Sequence, residues 1–191
     1  MIAVIVLAAG ASTRFGEQKL VVPLGGKAVV RHAVERACAS GADETIVVTG
    51  ANGAEVRAAL RGLTVRFVEN PRFKDGMSTS LAAGIAALPA GAEAAIIALG
   101  DQPLVPPEAY AGVLAEYRRE RAPIVTASYN GVRGHPVLFD AALFAELRAT
   151  RGDRGARGVI GGDPGRVRHV ELGLPVPADV DTPAALAAIP L

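Results

Sequence analysis

Tryptophan is missing altogether, cysteine occurs once, and aromatic residues make up only 4% of the 191 residues. A lone cysteine, Cys38, excludes an internal disulfide and a cysteine-ligated metal cluster, and its place in a helical pattern reads as a small core or near-core residue. No apolar run approaches the roughly 18 residues that cross a membrane, and no basic stretch precedes the apolar N-terminus. A soluble, cytoplasmic protein without a membrane partner is expected. An excess of one charge is lacking too: 20 Lys and Arg against 19 Asp and Glu leave +1, and the cations are scattered, which argues against a nucleic-acid partner. A small ligand is expected instead. Half of the chain is apolar, enough at this length for one domain, spanning 1–191, with a sizeable core.

Residues 2–7 (IAVIVL) form a continuous apolar run, the pattern of a strand buried on both faces of a parallel sheet. An amphipathic helix over 27–40, ending at Gly41, follows a turn at 23–26. Further strands read at 44–48, 65–68 and 94–100, with helices at about 54–61, 78–88 and 106–121 between and after them. Residues 124–128 and 134–139 flank Asn130-Gly131, a hairpin signal, so the sheet gains an antiparallel excursion. A helix over 141–150, a short helix opened by 152–157, a strand at 167–172 and a closing Ala-rich helix complete the chain. Such alternation predicts an α/β fold with a doubly wound, mainly parallel, Rossmann-like sheet and ligands at the carboxyl ends of its strands.

The stretch 7–20, LAAGASTRFGEQKL, lies where that rule places phosphate chemistry. Ala8, Ala9, Gly10 and Ala11 leave room for backbone N–H groups to approach an anion, and Arg14 and Lys19 add positive charge. The plainer alternative is an ordinary strand-to-helix turn with two solvated cations. A Walker A loop is excluded, because Phe15, Gly16 and Glu17 stand where Gly-Lys-Ser/Thr would be, and a dinucleotide fingerprint is excluded because Ala11 and Ser12 follow Gly10. Three further stretches carry special residues. In 70–81 (NPRFKDGMSTSL), Gly76, Ser78 and Ser80 stand at a helix start, either as nucleotide contacts or, for Ser78, as a simple N-cap. Asp101 ends a buried strand as a turn residue or as a Mg²⁺ ligand, since Mg²⁺ needs only one or two carboxylates beside phosphate oxygens and water. In 179–183 (DVDTP), Asp181 or Thr182 caps the last helix. His135, between Gly134 and Pro136, is structural or substrate-facing; Asp153 reads as the cap of its own short helix. Arg154 and Arg157 are candidates for an anionic substrate or a solvated face.

Leu-Ala-Ala-Gly-x-Ser-x-Arg-Phe-Gly-x-x-Lys at 7–19, Gly-x-Ser-x-Ser at 76–80, Gly-Asp-x-Pro at 100–103, Gly-His-Pro at 134–136 and Asp-x-Asp-Thr-Pro at 179–183 stand in the order found in the molybdenum cofactor cytidylyltransferases. The chain resembles that family from Leu7 to Pro183. The resemblance implies a fold of nucleotide-diphospho-sugar transferase type and transfer of CMP from CTP to molybdopterin carrying molybdenum, with release of pyrophosphate. It further implies nucleotide contacts from Leu7, Ala8, Ala9, Gly10, Arg14, Lys19, Gly76, Ser78, Ser80 and Asp101. Lys19 and Arg14 would be the catalytic cations, Asp101 and Asp181 the Mg²⁺ ligands, and His135 a contact to the acceptor. A molybdenum hydroxylase would receive the product. Related guanylyltransferases have Leu-Ala-Gly-Gly where this chain has 7–10, so the Ala9 methyl argues against guanine. Other readings of the same residues are guanylyl transfer to molybdopterin, nucleotidyl transfer to a sugar phosphate, and a cofactor-binding chaperone without turnover.

Overall fold

The computed structural model describes residues 1–10, 15 and 18–189. Among these, seven strands form one sheet in the order β5-β4-β1-β6-β8-β7-β9. The strands are β1 (Ile2–Ala8), β4 (Glu44–Thr49), β5 (Arg66–Glu69), β6 (Ala94–Leu99), β7 (Ile124–Tyr129), β8 (Val132–Asp140) and β9 (Val167–Glu171). The pair β2 (Pro23–Leu24) and β3 (Lys27–Ala28) forms a small separate ladder. β1 pairs in parallel with both β4 and β6, whereas β8 runs antiparallel to β6 and β7. The doubly wound α/β sheet with its antiparallel excursion is as the alternation predicts.

Period-two alternation explains the two cores. Ile2, Val4 and Val6 of β1 pack on one face with α1 (Val29–Cys38) and α4 (Pro107–Glu120). Ala3 and Ile5 pack on the other with α3 (Met77–Ala86) and α5 (Phe144–Ala149). Since both faces are covered, a continuous apolar run is what β1 requires. The remaining helices are α2 (Gly53–Ala59), α6 (Arg157–Gly162) and α7 (Pro183–Ala187).

Local readings are corrected at several points. Cys38 is exposed at the end of α1 rather than in or near the core, because the buried stripe of that helix stops at Ala37. Helix α1 begins at Val29, two residues late, since Lys27 and Ala28 pair with Leu24 and Pro23. The N-cap position of α3 is Gly76, with φ of +104°, while Ser78 lies inside the helix and is buried. Asp153 does not cap its neighbouring helix: its Oδ1 accepts from the Met77 backbone N at 3.3 Å, tying residues 152–157 to the start of α3. At the last helix the cap is Thr182, whose side chain accepts from Ala185 N at 3.1 Å.

Candidate active site

The strand order reverses between β1 and β6, and in open α/β sheets ligands bind beyond the strand ends at such a point. Gly100 N donates to Leu7 O at 3.0 Å, which holds the exits of β1 and β6 together. Ala8 and Ala9 are buried at this edge, and Gly10 is exposed with open space where a Cβ would stand. Arg14 lies outside the described residues. Lys19 sits on a single 3₁₀ turn, Lys19–Val21, with the Gln18 side chain accepting from Leu20 N.

From that turn the Lys19 ammonium donates to Asp101 Oδ2 at 2.6 Å and to Asp181 Oδ1 at 2.8 Å. Three segments remote in sequence therefore meet at one nitrogen. Asp181 is delivered by the C-terminal tail: Val180 N donates to Asp101 O at 3.0 Å, and the Val180 side chain is fully buried with Phe15, Leu24 and Val29. The tail's apolar anchor thus fixes the position of a charged neighbour. Burial works against the charged form of Lys19, but the fields and hydrogen bonds of Asp101 and Asp181 outweigh it and raise the Lys19 pKa above its ordinary value. Lys19 stays a cation.

Asp179 joins the same edge, accepting at Oδ1 from Gln102 Nε2 at 2.5 Å. Desolvation, with help from the charges of Asp101 and Asp181, pushes its pKa up against the pull of Gln102 and Lys19. Among the described residues no group of three or more His, Cys, Asp or Glu is placed to hold a metal. What exists is a pair, Asp101 and Asp181, with one oxygen of each turned on a single point already taken by a cation. That donor set fits a divalent ion which draws its other ligands from phosphate and water.

Gly76 lies against the 152–157 loop, where a Cβ would come within 2.6 Å of the Gly152 carbonyl carbon. The Ser80 hydroxyl faces inward and accepts from Asn70 Nδ2 at 2.9 Å; the same nitrogen donates to Thr79 Oγ1. Asn70 Oδ1 also accepts from Arg72 N, so this buried amide fixes the loop before α3.

A cavity of about 510 Å³ opens beside the carboxylates. Its apolar lining includes Leu81, Ile97, Val137 and Phe139, and Arg133, Arg154 and Arg157 also reach it. His135 lines the same cavity because of a bulge: Thr126 pairs with Val137 and Ala127 with Gly134, which leaves His135 and Pro136 out of the ladder. The peptide bond between them is cis. Tyr129 Oη donates to His135 O at 2.6 Å, and its ring lies where a Gly134 Cβ would be, 2.8 Å away. Burial lowers the His135 pKa to about 4; Asp101 opposes this and Arg157 adds to it. The imidazole is neutral at pH 7.

Sequence reading singled out Lys19, Asp101, Asp181 and His135, and the structure gathers the first three in direct contact and sets the fourth at the adjoining cavity. It missed Asp179, Gln102, Arg133 and Asn70. The first two stand inside motifs already noticed, Asp-x-Asp and Gly-Asp-x-Pro, so their positions were a usable signal.

Comparison with known proteins defines the class. Rv0371c from Mycobacterium tuberculosis H37Rv superposes with a TM-score of 0.86 at 30% identity, covering 97% of this chain and 95% of that one. A structure of Rv0371c in complex with manganese superposes at 0.80. A nucleotidyl transferase from Methanothermobacter thermautotroptrophicus, Mth528, gives 0.82 at 27% identity, covering 98% and 94%. Among curated proteins, the bifunctional protein GlmU of Halorhodospira halophila is 34% identical over 116 residues, which are 60% of this chain but 24% of GlmU. The chain therefore spans about a quarter of the length of that relative. The fold is that of the nucleotide-diphospho-sugar transferases. More narrowly, the chain belongs to the MobA-like NTP transferase domain family, whose model matches residues 4–170.

Proposed function

We propose that the protein transfers CMP from CTP to the phosphate of molybdopterin carrying molybdenum, releasing pyrophosphate and leaving a phosphoanhydride. The observation that carries this reading is the Lys19 ammonium held between Asp101 and Asp181, whose chain neighbours Gln102 and Asp179 line a cavity of about 510 Å³. The motif resemblance supplies the identity of the two substrates.

An acceptor phosphate is ionised at neutral pH, so its oxygen can attack the α-phosphorus without a strong general base. Neither nearby candidate is a strong base: Lys19 remains protonated, and burial makes the His135 imidazole a weak one. The chain's own residues position the reactants and neutralise charge. Backbone amides and small side chains at 7–10 receive the triphosphate, and Lys19, with Arg14, stabilises the α-phosphate and the departing pyrophosphate. Asp101 and Asp181 would hold Mg²⁺, which when bound supplies Lewis-acid charge neutralisation at phosphate oxygens. The cavity takes the acceptor, with His135 at its wall. A molybdenum hydroxylase is the recipient of the product.

Ala9, buried beside the β1 exit, is the residue that favours cytosine over guanine in this reading. A nucleotide competition assay should show CTP preferred over GTP and ATP by at least about tenfold, or about 1.4 kcal/mol of differential binding. Equal use of GTP would move the assignment to guanylyl transfer.

A further inference from the structure

Part of the cavity's apolar lining is exposed. Among the described residues, large apolar side chains stand in solvent at Met77, Val132, Leu174 and Val176. Two of these, Met77 at 42% and Val176 at 51% exposure, line the cavity together with Leu81, Ile97, Val137 and Phe139. Exposed apolar residues scattered singly need no explanation, but a pair that shares an apolar cavity marks surface which a ligand covers. Both are held in place. Met77 opens α3, and its thioether lies along the 152–157 loop, since a Cβ on Gly155 would come 3.0 Å from Met77 Sδ. Val176 belongs to the segment between β9 and α7, tied on one side by Leu172 N to Ser128 O at 2.9 Å and on the other by Val180 N to Asp101 O at 3.0 Å. Two segments remote in sequence thus present apolar surface to one cavity.

Charge narrows the occupant. Arg133, Arg154 and Arg157 line the cavity, are exposed, and form no ion pair among the described residues. Against them the lining sets Asp179, whose Oδ1 is taken by Gln102. Cations around apolar walls fit an amphipathic anion: a flat ring system, whose faces need no hydrogen bonds, carrying anionic groups. A sugar phosphate matches the charge but not the walls, because hydroxyls turned to Leu81, Ile97, Val137 and Phe139 lose water and gain no partner.

We propose that Met77 and Val176 are specificity-determining residues for the acceptor, packing on the faces of its ring system while the arginines hold its anionic groups. The unbranched thioether of Met77 adapts to the ring, and the β-branched Val176 gives a stiffer contact. This inference rests on the reading of the cavity as the acceptor site.

Val176→Ser and Met77→Ser remove the apolar surface, and Val176→Ile and Met77→Leu keep it. The probes are purified molybdopterin, a sugar phosphate, and anilinonaphthalene sulfonate, a fluorescent dye that joins flat rings to a fixed anion without being a substrate. Dye binding and its displacement are read by fluorescence, KM for acceptor and for CTP by pyrophosphate release, and Tm by calorimetry. The dye should bind the parent protein saturably and be displaced by molybdopterin but not by the sugar phosphate. Each Ser variant should raise the dye Kd and the acceptor KM about fivefold or more, with KM for CTP held, while the Ile and Leu variants stay within about twofold of the parent. Val176→Ser should not lower Tm, since the surface it removes is exposed. Unchanged dye Kd and acceptor KM in both Ser variants of a protein that turns molybdopterin over would overturn the inference and leave the functional reading standing. A lowered Tm with both KM values raised shows a structural role and overturns it too. Dye binding that the Ser variants weaken, in a protein that neither yields the dye to molybdopterin nor releases pyrophosphate with it, would instead sink the functional reading and leave these two residues as contacts for another ring-bearing anion.

Discussion

Burial depresses the pKa of an ammonium while adjacent carboxylates raise it, and at Lys19 the carboxylates prevail. The same contest predicts what the carboxylates do when substituted. If Asp101 and Asp181 hold one ion, Asp101→Asn and Asp181→Asn should each raise the Mg²⁺ concentration needed for half-maximal pyrophosphate release. The double mutant should be little worse than the worse single, because both act on one bound ion. Since Thr182 and not Asp181 caps α7, Asp181→Asn should leave that cap intact; an unshifted Mg²⁺ curve for it would remove Asp181 from the metal site. His135 gives a different dependence. Its folded-state pKa of about 4 lies below the ordinary 6.5, so between those values the unfolded chain binds a proton that the folded one does not. Stability should therefore fall as pH drops from about 6.5 toward 4. Urea unfolding at pH 7 and pH 5 should show a larger loss for the parent protein than for His135→Gln; equal losses would mean that the imidazole is not desolvated.

Elements were legible wherever one chain segment decides its own structure. The strands at 2–7, 44–48 and 94–100 follow from apolar runs, and Asn130-Gly131 gives its hairpin because both residues take positive φ. Errors arose where a distant partner decides. Asp153 looks like a local cap, but the loop geometry turns it to the start of α3, and Cys38 looks inward-facing until the buried stripe of α1 is seen to end before it. Packing between elements is testable at Gly84, where α3 crosses the sheet. A Cβ there would lie 2.5 Å from Ile5 Cγ2 and 3.2 Å from Val48 Cγ2, so the helix rests directly on β1 and β4. Gly84→Val should destabilise the protein by about 1–3 kcal/mol through overpacking, read by urea denaturation, despite valine's larger apolar surface. An unchanged midpoint would show that α3 shifts away without penalty.

At the scale of the molecule, the site is assembled from segments as far apart as Lys19 and Asp181, 162 positions in sequence. The parallel topology made the meeting of strand ends predictable, which is why Asp101 could be placed at the active edge. The tail was not legible in the same way: the buried Val180 and the bond from its N to Asp101 O help bring Asp179 and Asp181 there. The bulge that excludes His135 and Pro136 from the ladder was equally hidden, because it depends on pairing with β7.

The central claim is acceptor-dependent cytidylyl transfer, and pyrophosphate release measures it directly. Protein, CTP and Mg²⁺ are mixed with purified molybdenum-loaded molybdopterin, with a sugar phosphate in its place, or with no acceptor, and Lys19→Ala is run alongside. The account predicts pyrophosphate in proportion to molybdopterin consumed, little in the other two mixtures, and a loss of about 10² in turnover for Lys19→Ala with its circular dichroism unchanged. Pyrophosphate released equally with the sugar phosphate, or none released with molybdopterin, would contradict it.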